Sequence, residues 1–320
     1  MLRKLSCIIF VSYTLLFNSC KLEDDDKAKI SIGFSQSIDY DIWRKSMDHA
    51  MEVEASLHPE VKLTIYNANR QAKKQIHDIE KFIADKVDVI IVSPFESDSI
   101  IPVIEKANAI GIPVIIVDRK VNTSNYTAYL GADNVEVGRI AGRHIVSLSK
   151  GNANVIEIKG ASYTSPGLER TMGFRQIIDQ YPGVKVISID AKKDELPKDV
   201  FVNILKNAPE INYVYAYNDV IAYQAWKAAK GENSKNNIKF IGVDGGNGPN
   251  GGIQLVKDRV LEATVLYPTG GSEAIKLALK IANKEIVPKN NKLNTMLIDS
   301  LNADIMGNQF DKITIQQSDI

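Results

Sequence analysis

Side chains that hydrogen-bond strongly recur in this chain at points where a predicted strand gives way to a helix. Arginine forks are fixed donors and carboxylates are acceptors, so together they can satisfy each hydroxyl group of a small polyhydroxylated ligand twice. An indole ring adds an apolar surface for the C–H face of the same ligand. The residues that could act in this way are Trp43, Arg44, Asp118, Arg119, Arg170, Asn218, Asp219 and Asp244.

These side chains are expected to converge on one cleft, because ligands of open parallel α/β sheets bind outside the carboxyl ends of the strands. Each residue alone has a simpler explanation. Trp43 could be a core residue, Arg119 or Arg170 could form a surface ion pair, and Asn218 and Asp244 could cap helices. Those explanations together would not account for polar residues at the cleft end of so many different strands.

Short β-branched runs alternate with amphipathic segments, which predicts repeated βα units and parallel sheets. Strands are predicted at 30–34, 62–66, 87–92 and 114–117, with helices at 42–55, 72–84 and 100–109. After Gly131 the alternation restarts, with predicted helices at 135–148, 168–180, 198–205 and 220–229 and strands at 155–158, 184–189, 213–216 and 240–243. Two sheets of this size imply two similar α/β domains.

The last predicted elements are a strand at 263–266, a helix at 272–282 and a strand at 295–298. They form one βα unit more than the second domain needs. We therefore expect the chain to return and complete the first domain. The residues that follow, 305–320, are polar and amphipathic and are predicted to extend beyond both domains.

Charge and composition exclude several classes of partner. Basic and acidic residues both number 39, which removes the electrostatic basis for nucleic-acid binding and favours a small or uncharged ligand. The histidines occur singly, without a second ligand at metal spacing. They are His49, His58, His77 and His144. We predict neither a metal nor a cofactor.

The N-terminus has the pattern of an export signal. Arg3 and Lys4 precede an apolar run, 7–17, that is too short to be a stable membrane anchor. Residues 1–20 resemble a relaxed bacterial lipoprotein signal, in which Cys20 would become the lipidated first residue. A plain signal peptide that ends near a cysteine is the alternative. The charged residues 21–28 are predicted to be a solvated tether.

Five ordered motifs carry a family resemblance over about residues 29–303. They are the segments 112–119, 131–134 with Gly138, 169–170 with 173–174, 218–219 and 241–245. The chain resembles the type I periplasmic sugar-binding proteins, the ribose and galactose receptor group. Within that group, Gly33-Phe34-Ser35-Gln36 followed by Trp43-Arg44 is most similar to the galactofuranose-binding branch.

This resemblance implies two Rossmann-like lobes with parallel sheets, joined by a three-strand hinge that closes on a monosaccharide. The implied first lobe is 29–131 plus 268–296, and the second is 132–267 plus 297–304. The family's ligand-binding positions fall on Asp118, Arg119, Arg170, Asn218 and Asp244, with Trp43 and Arg44 in the first-lobe wall. At two positions that normally touch ligand this chain departs from the family, and Lys192 and Tyr267 are the candidate replacements.

The resemblance further implies delivery of the sugar to an ABC permease from a membrane-anchored periplasmic receptor. An alternative partner is a sensor kinase, since residues 305–320 resemble the connector of hybrid two-component sensors. That alternative requires a longer chain or a separate partner. A repressor of the lactose family shares the fold but needs a DNA-binding headpiece, which does not fit a chain that starts with an export signal.

Two features of the sequence resemble catalytic motifs. Asp118 and Asp244 could form the carboxylate pair of a glycoside hydrolase, but Arg119 favours an ionised Asp118 that accepts hydrogen bonds. The segment 246–251 matches G-x-G-x-x-G but lies far from a first βα turn, so we interpret it as a flexible loop beside Asp244. The sequence therefore predicts a binding protein and not an enzyme.

Overall fold

The computed structural model describes residues 30–38, 41–192, 195–208, 210–232 and 237–307. The predicted signal peptide 1–20 with Cys20, the tether 21–28 and most of the extension 305–320 lie outside these ranges. Within them, no helix is both long and apolar enough to cross a membrane.

Two six-stranded sheets, each covered by helices, form the framework. The first half of the chain contains β1 (Ile30–Gln36), α1 (Ile42–Ser56), β2 (Val61–Asn67), α2 (Ala72–Ala84), β3 (Val89–Val92), α3 (Ile101–Ala109), β4 (Val114–Val117) and β5 (Ala128–Ala132). The next part contains α4 (Asn134–Ser149), β6 (Asn152–Lys159), α5 (Ser165–Ile178), β7 (Gly183–Asp190), α6 (Lys198–Asn207), β8 (Tyr213–Ala216), α7 (Asp219–Gly231) and β9 (Lys239–Asp244). The last elements are α8 (Gly252–Lys257), β10 (Ala263–Leu266), α9 (Gly271–Ala282), β11 (Asn290–Leu293) and β12 (Leu297–Asp299).

The strand order is β11-β5-β4-β3-β1-β2 in the first sheet and β12-β10-β9-β8-β6-β7 in the second. The paired strands are parallel except for β10 and β12, which are antiparallel. Central strands such as β3 and β4 both read Val-Ile-Ile-Val and are buried throughout, as strands covered on both faces must be. The expected class, two α/β lobes with parallel sheets, is confirmed.

The chain passes between the sheets three times, from β5 to α4, from β10 to α9 and from β11 to β12. Helix α9 packs on the first sheet, where Ala274, Ile275 and Ala278 join the core of β1, β3 and β4. Trp43 and Leu293 contact the apolar cores on both sides of these crossings. The three crossings and these two side chains make up the hinge between the lobes.

Two strands, β5 and β11, and one helix, α8, were not predicted from the sequence, and several predicted elements begin or end two or three residues from their positions in the structure. Strand β11 reads Asn-Asn-Lys-Leu, which has no apolar alternation, and β5 contains Gly131. The predicted strand 295–298 is β12, which begins two residues later. Helix α8 follows the glycine-rich segment directly, and α5 begins at Ser165 because Thr164 caps it and Pro166 fits its first turn.

Helices α4 and α5 of the second lobe pack closely, because glycines lie at their crossing. A β-carbon on Gly173 would lie 1.9 Å from the carbonyl oxygen of Val135. One on Gly138 would lie 2.0 Å from the carbonyl oxygen of Arg170. No side chain larger than hydrogen therefore fits at either position, and the two glycines bring Asn134 and Arg170 together.

Candidate ligand-binding site

A cavity of about 380 Å³ lies between the lobes, at the carboxyl ends of the strands. Its volume falls in the range of small-molecule sites, about 300 to 1,000 Å³. The predicted ligand-binding residues that line it are Trp43, Arg44, Asp118, Arg119, Arg170, Asn218 and Asp244. Tyr267 and Lys192 are not among the lining residues.

Arg44 forms the centre of the first-lobe wall and is 6% exposed. Its guanidinium donates to Gln36 Oε1 at 3.2 Å, to Ser93 Oγ at 3.1 Å and to Asp118 Oδ2 at 3.1 Å. Asp41 caps α1 by accepting from the backbone N–H of Arg44, and its carboxylate lies 3.5 Å from Arg44 Nε. Partners from β1, the end of β3 and the end of β4 therefore hold one side chain in a single orientation.

Asp118 and Arg119 follow β4 directly. Asp118 has a φ of 62°, a left-handed conformation that is uncommon outside glycine, and its carbonyl accepts from Tyr129 Oη at 2.8 Å. Arg119 donates to the carbonyls of Pro94 and Phe95. The strained turn at Asp118 thus presents a carboxylate and a guanidinium to the same wall.

Trp43 lines the cavity, and its indole N–H donates to the carbonyl of Tyr267 at 2.8 Å. Tyr267 itself is 1% exposed, and its ring lies 4.7 Å from the Arg170 guanidinium. It supports Trp43 and Arg170 from behind the cavity wall. Lys192 pairs with Glu195 in an isolated bridge away from the cavity. Both positions were predicted from the family pattern alone, which fixes a register along the chain but not the direction of a side chain.

Arg170 forms the centre of the second-lobe wall and is 4% exposed. Its Nε donates to Asn134 Oδ1 at 2.9 Å, its Nη1 donates to the carbonyl of Tyr217 at 2.6 Å, and Nη1 lies 3.5 Å from Asp244 Oδ1. Arg170 lies inside α5, as it does in the predicted helix 168–180. A rigid element therefore carries this guanidinium into the cleft.

Asn218 caps α7, since its side chain accepts from the backbone N–H of Ile221 at 2.9 Å. The explanation of Asn218 as a helix cap is therefore correct. The residue also lines the cavity. Asp244 ends β9 with a φ of 118°, and 18% of its side chain is accessible. Burial raises the pKa of Asp244 well above its usual value, while Arg170 lowers it.

Asp219 lies beside this pair and is 4% exposed. Burial raises the pKa of Asp219 to about 7, against the lowering effects of Thr264, Gly245 and Arg170. A carboxyl whose pKa is higher in the folded state keeps a proton that the unfolded chain releases. The free energy of unfolding therefore falls as the pH rises between the unfolded value, about 4, and 7.

We expect the wild type to lose about 1 to 3 kcal/mol more unfolding free energy than Asp219→Asn between pH 4.5 and 7.5. Asparagine carries no charge in either state, so its contribution does not change with pH. Denaturant melts at several pH values measure this difference. Parallel stability curves for the two proteins would show that Asp219 stays ionised in the fold.

Sequence reasoning missed several lining residues. Asp41, Thr164 and Asn250 carry polar atoms, and Ile38, Ile42, Pro166, Tyr217, Val220 and Tyr223 give the cavity apolar walls. Asp41 and Thr164 were detectable, because both occupy helix N-cap positions at the cleft end of a sheet. The apolar residues carry no such signal. In the described part of the chain, no group of three or more His, Cys, Asp or Glu residues could hold a metal ion.

The two lobes also touch at the cleft edge. The backbone N–H of Lys120 donates to Ser165 Oγ at 2.8 Å, and its ammonium group pairs with Glu169 at 2.7 Å. The rings of Phe95 and Tyr163 lie 6.1 Å apart. Lys120 and Phe95 each follow a strand of the first sheet. Their partners lie on α5 or just before it. These contacts bring the lobes together over the cavity.

Comparisons with known proteins agree with this geometry. The model of the periplasmic binding protein domain matches residues 32–286. The ribose import binding protein of Bacillus subtilis is 30% identical over 275 residues, which are 82% of this chain and 88% of that protein.

Solved structures are similar over most of the chain. The fructose-binding periplasmic domain of a hybrid two-component system has a TM-score of 0.86 and 37% identity, covering 91% of this chain and 97% of that one. A galactofuranose-binding protein has a TM-score of 0.78 and 26% identity, covering 86% and 96%.

Proposed function

The chain belongs to the periplasmic binding protein family, and we propose that it captures a monosaccharide between its lobes and delivers it to an ABC sugar transporter. The family acts outside the cytoplasm and consists of sugar-binding proteins rather than enzymes. We place the lobes at residues 29–131 plus 268–296 and 132–267 plus 297–304, and we assign ligand contacts to the seven cavity-lining residues named above.

One observation carries this proposal. Each lobe presents a buried guanidinium paired with a carboxylate: Arg44 with Asp118 in the first lobe and Arg170 with Asp244 in the second. Paired charges favour an uncharged ligand, because an ionic ligand would have to break a pair. They also offer fixed donors beside acceptors, which is the arrangement that a ring of hydroxyl groups requires.

The ring form of the sugar is a finer proposal. Trp43 and Arg44 match the galactofuranose-binding branch, and structural similarity extends to a protein described as binding galactofuranose. Both observations favour a sugar in the furanose form.

A calorimetric titration of residues 28–320 against fructose, ribose, arabinose, galactose, glucose and xylose tests the proposal. We expect tight binding of one sugar, together with a smaller radius of gyration in solution scattering as the lobes close. Flat titrations across the panel would contradict monosaccharide capture. Binding with an unchanged scattering profile would contradict closure of the hinge.

Membrane attachment through Cys20 is a separate proposal, based on the lipoprotein-like segment 1–20. We expect Cys20→Ser to move the protein from the membrane fraction to the soluble fraction of the cells that produce it, since a thioether-linked lipid needs the thiol. Replacing Cys7, which lies inside the apolar run, with serine is the matched control and should leave attachment unchanged. Membrane-bound Cys20→Ser protein would exclude lipidation as the anchor.

A second candidate function is the sugar-sensing domain of a two-component system. The similarity to the fructose-binding domain of such a system, at 37% identity, favours it. Both functions use the same closed lobes and differ in the partner that binds them. Stimulation of the ATPase of a sugar permease in proteoliposomes supports transport, whereas ligand-dependent phosphorylation of a co-expressed kinase supports sensing.

A further inference from the structure

Asp219 borders the cavity, yet both of its carboxylate oxygens are engaged by the protein. Oδ1 accepts from Thr264 Oγ1 at 2.7 Å, and Oδ2 accepts from the backbone N–H of Gly245 at 2.8 Å. The side chain is 4% exposed. Its polar atoms are therefore directed at the end of β9 and at β10 rather than at a ligand.

The turn that Asp219 binds is an unusual one. Asp244 has a φ of 118° and Gly245 a φ of 64°, so two successive residues lie in the left-handed half of conformational space. A residue with a β-carbon adopts such a φ only where its surroundings hold it there. On one side, the N–H of Tyr267 donates to the carbonyl of Asp244 at 3.0 Å. On the other side, Asp219 holds the N–H of Gly245.

The space around Asp219 leaves its carboxylate no alternative position. A β-carbon on Gly242 would lie 2.1 Å from Oδ1, and one on Gly252 would lie 2.1 Å from Oδ2. Strand β9 and helix α8 thus approach Asp219 as closely as glycine permits. The Asp219 carboxylate therefore has a fixed position, and its hydrogen bond to Gly245 fixes the turn at residues 244–245.

We propose that Asp219 is a positioning residue, which sets ligand affinity by holding the Asp244–Gly245 turn so that Asp244 faces both Arg170 and the cavity. This inference rests on the proposed function, because Asp244, the residue that Asp219 holds in place, is one of the proposed ligand contacts. Asp219 acts through Asp244 and makes no ligand contact of its own.

The pH dependence of ligand affinity separates this role from a purely structural one, because it depends on the charges around Asp219 and Asp244. Asp219 faces Arg170 on α5 and Asp244 on β9, and its neighbour on β10, Thr264, is uncharged. Asp41 and Asp118 act on Asp244 from the first lobe. A sugar hydroxyl that donates to Asp244 favours the ionised carboxylate, so affinity rises with pH. Without a charged neighbour at 219, one of the effects that raise the pKa of Asp244 is removed, so Asp244 ionises at lower pH and the rise in affinity moves to lower pH.

The test compares Asp219→Ala, Asp219→Asn and Thr264→Val with the wild type, and uses Asp179→Ala as the control because the Asp179 side chain is 62% exposed. Two measurements are made. Calorimetry between pH 5.5 and 8 uses the sugar of the six-member panel that the wild type binds. Amide hydrogen exchange at Gly245, followed by NMR, needs no ligand.

We expect Asp219→Ala to weaken binding 10- to 100-fold and to accelerate exchange at Gly245 at least tenfold. Asp219→Asn can still accept from Gly245 and donate to Thr264, so it should bind within threefold of the wild type at pH 8, and the rise of its affinity with pH should move to lower pH than in the wild type. Thr264→Val should fall between them. If Asp219→Ala does not fold, Asp219→Asn and Thr264→Val still decide the outcome.

Wild-type affinity and unchanged Gly245 exchange in Asp219→Ala would overturn the proposal, and so would a pH profile of affinity in Asp219→Asn that is not shifted from that of the wild type. If the wild type binds no sugar of the panel, the proposed function fails, and the exchange measurement alone then supports or rejects the positioning role. Asp179→Ala should match the wild type in both measurements.

Discussion

Arg170→Ala is expected to weaken ligand affinity by 100-fold or more, the largest effect of any single substitution in the cavity. Truncating one partner of a buried, hydrogen-bonded charge pair costs about 2 to 5 kcal/mol, and about 2.7 kcal/mol corresponds to 100-fold. The substitution would leave Asn134, the carbonyl of Tyr217 and Asp244 without the donor that now joins them. Calorimetry with the sugar that the wild type binds measures the loss.

Two further variants separate the possible causes. Arg170→Lys keeps the charge but not the planar fork, so we expect it to recover only part of the affinity. Arg143→Ala is the matched control, because Arg143 is half exposed and pairs with Glu136 at the surface of α4. Affinity within threefold of the wild type in Arg170→Ala would remove Arg170 from the ligand contacts and leave it a role in lobe stability alone.

Gly173→Ala is expected to destabilise the second lobe by about 2 to 3 kcal/mol. The new β-carbon would lie 1.9 Å from the carbonyl of Val135, which is backbone and cannot rotate away, so α4 and α5 must separate. Because the clash is with backbone, the overpacking cost lies at the upper end of its range, about 3 kcal/mol or more, and the higher helix propensity of alanine offsets roughly 1 kcal/mol. We also expect at least a tenfold loss of affinity, since the same helices carry Asn134 and Arg170.

Thermal unfolding and calorimetry of the same samples check both effects. Gly231→Ala is the control with identical chemistry, because no atom of the described residues lies within 4 Å of the position that a β-carbon would occupy at the end of α7. It should be neutral or stabilising by up to about 1 kcal/mol. An unchanged melting temperature in Gly173→Ala would mean that the helices have room to adjust.

The elements with strong apolar periodicity could be predicted from the sequence. Runs such as Val-Ile-Ile-Val in β3 and β4 are buried on both faces, so their composition alone indicates central strands. Strand β11, Asn-Asn-Lys-Leu, could not be found in this way. It is paired on one side only, with β5, and tertiary pairing rather than its own residues makes it a strand.

For the site, residue type and position at a strand end were enough to find the charged groups but not their directions. Arg44, Asp118 and Arg170 were predicted because polar residues at strand ends converge. Tyr267 follows β10 in the same way, yet its ring packs beneath Arg170, since the chain turns there into a crossing of the hinge. Asp219 was predicted to lie at the cleft. Its contacts with Gly245 and Thr264 could not be predicted, because they depend on glycines far along the chain.

Trp43 lies both in the hinge and at the cavity wall, so its fluorescence should depend on the position of the lobes. The chain has two tryptophans, Trp43 and Trp226. The indole of Trp43 lines the cavity, packs on the apolar cores of both lobes and donates to the carbonyl of Tyr267 in a crossing segment. Any rotation of the lobes changes the polarity and the quenching groups around this ring. We therefore expect fluorescence emission from Trp43, in a protein with phenylalanine at position 226, to follow the hinge angle in real time with no attached dye.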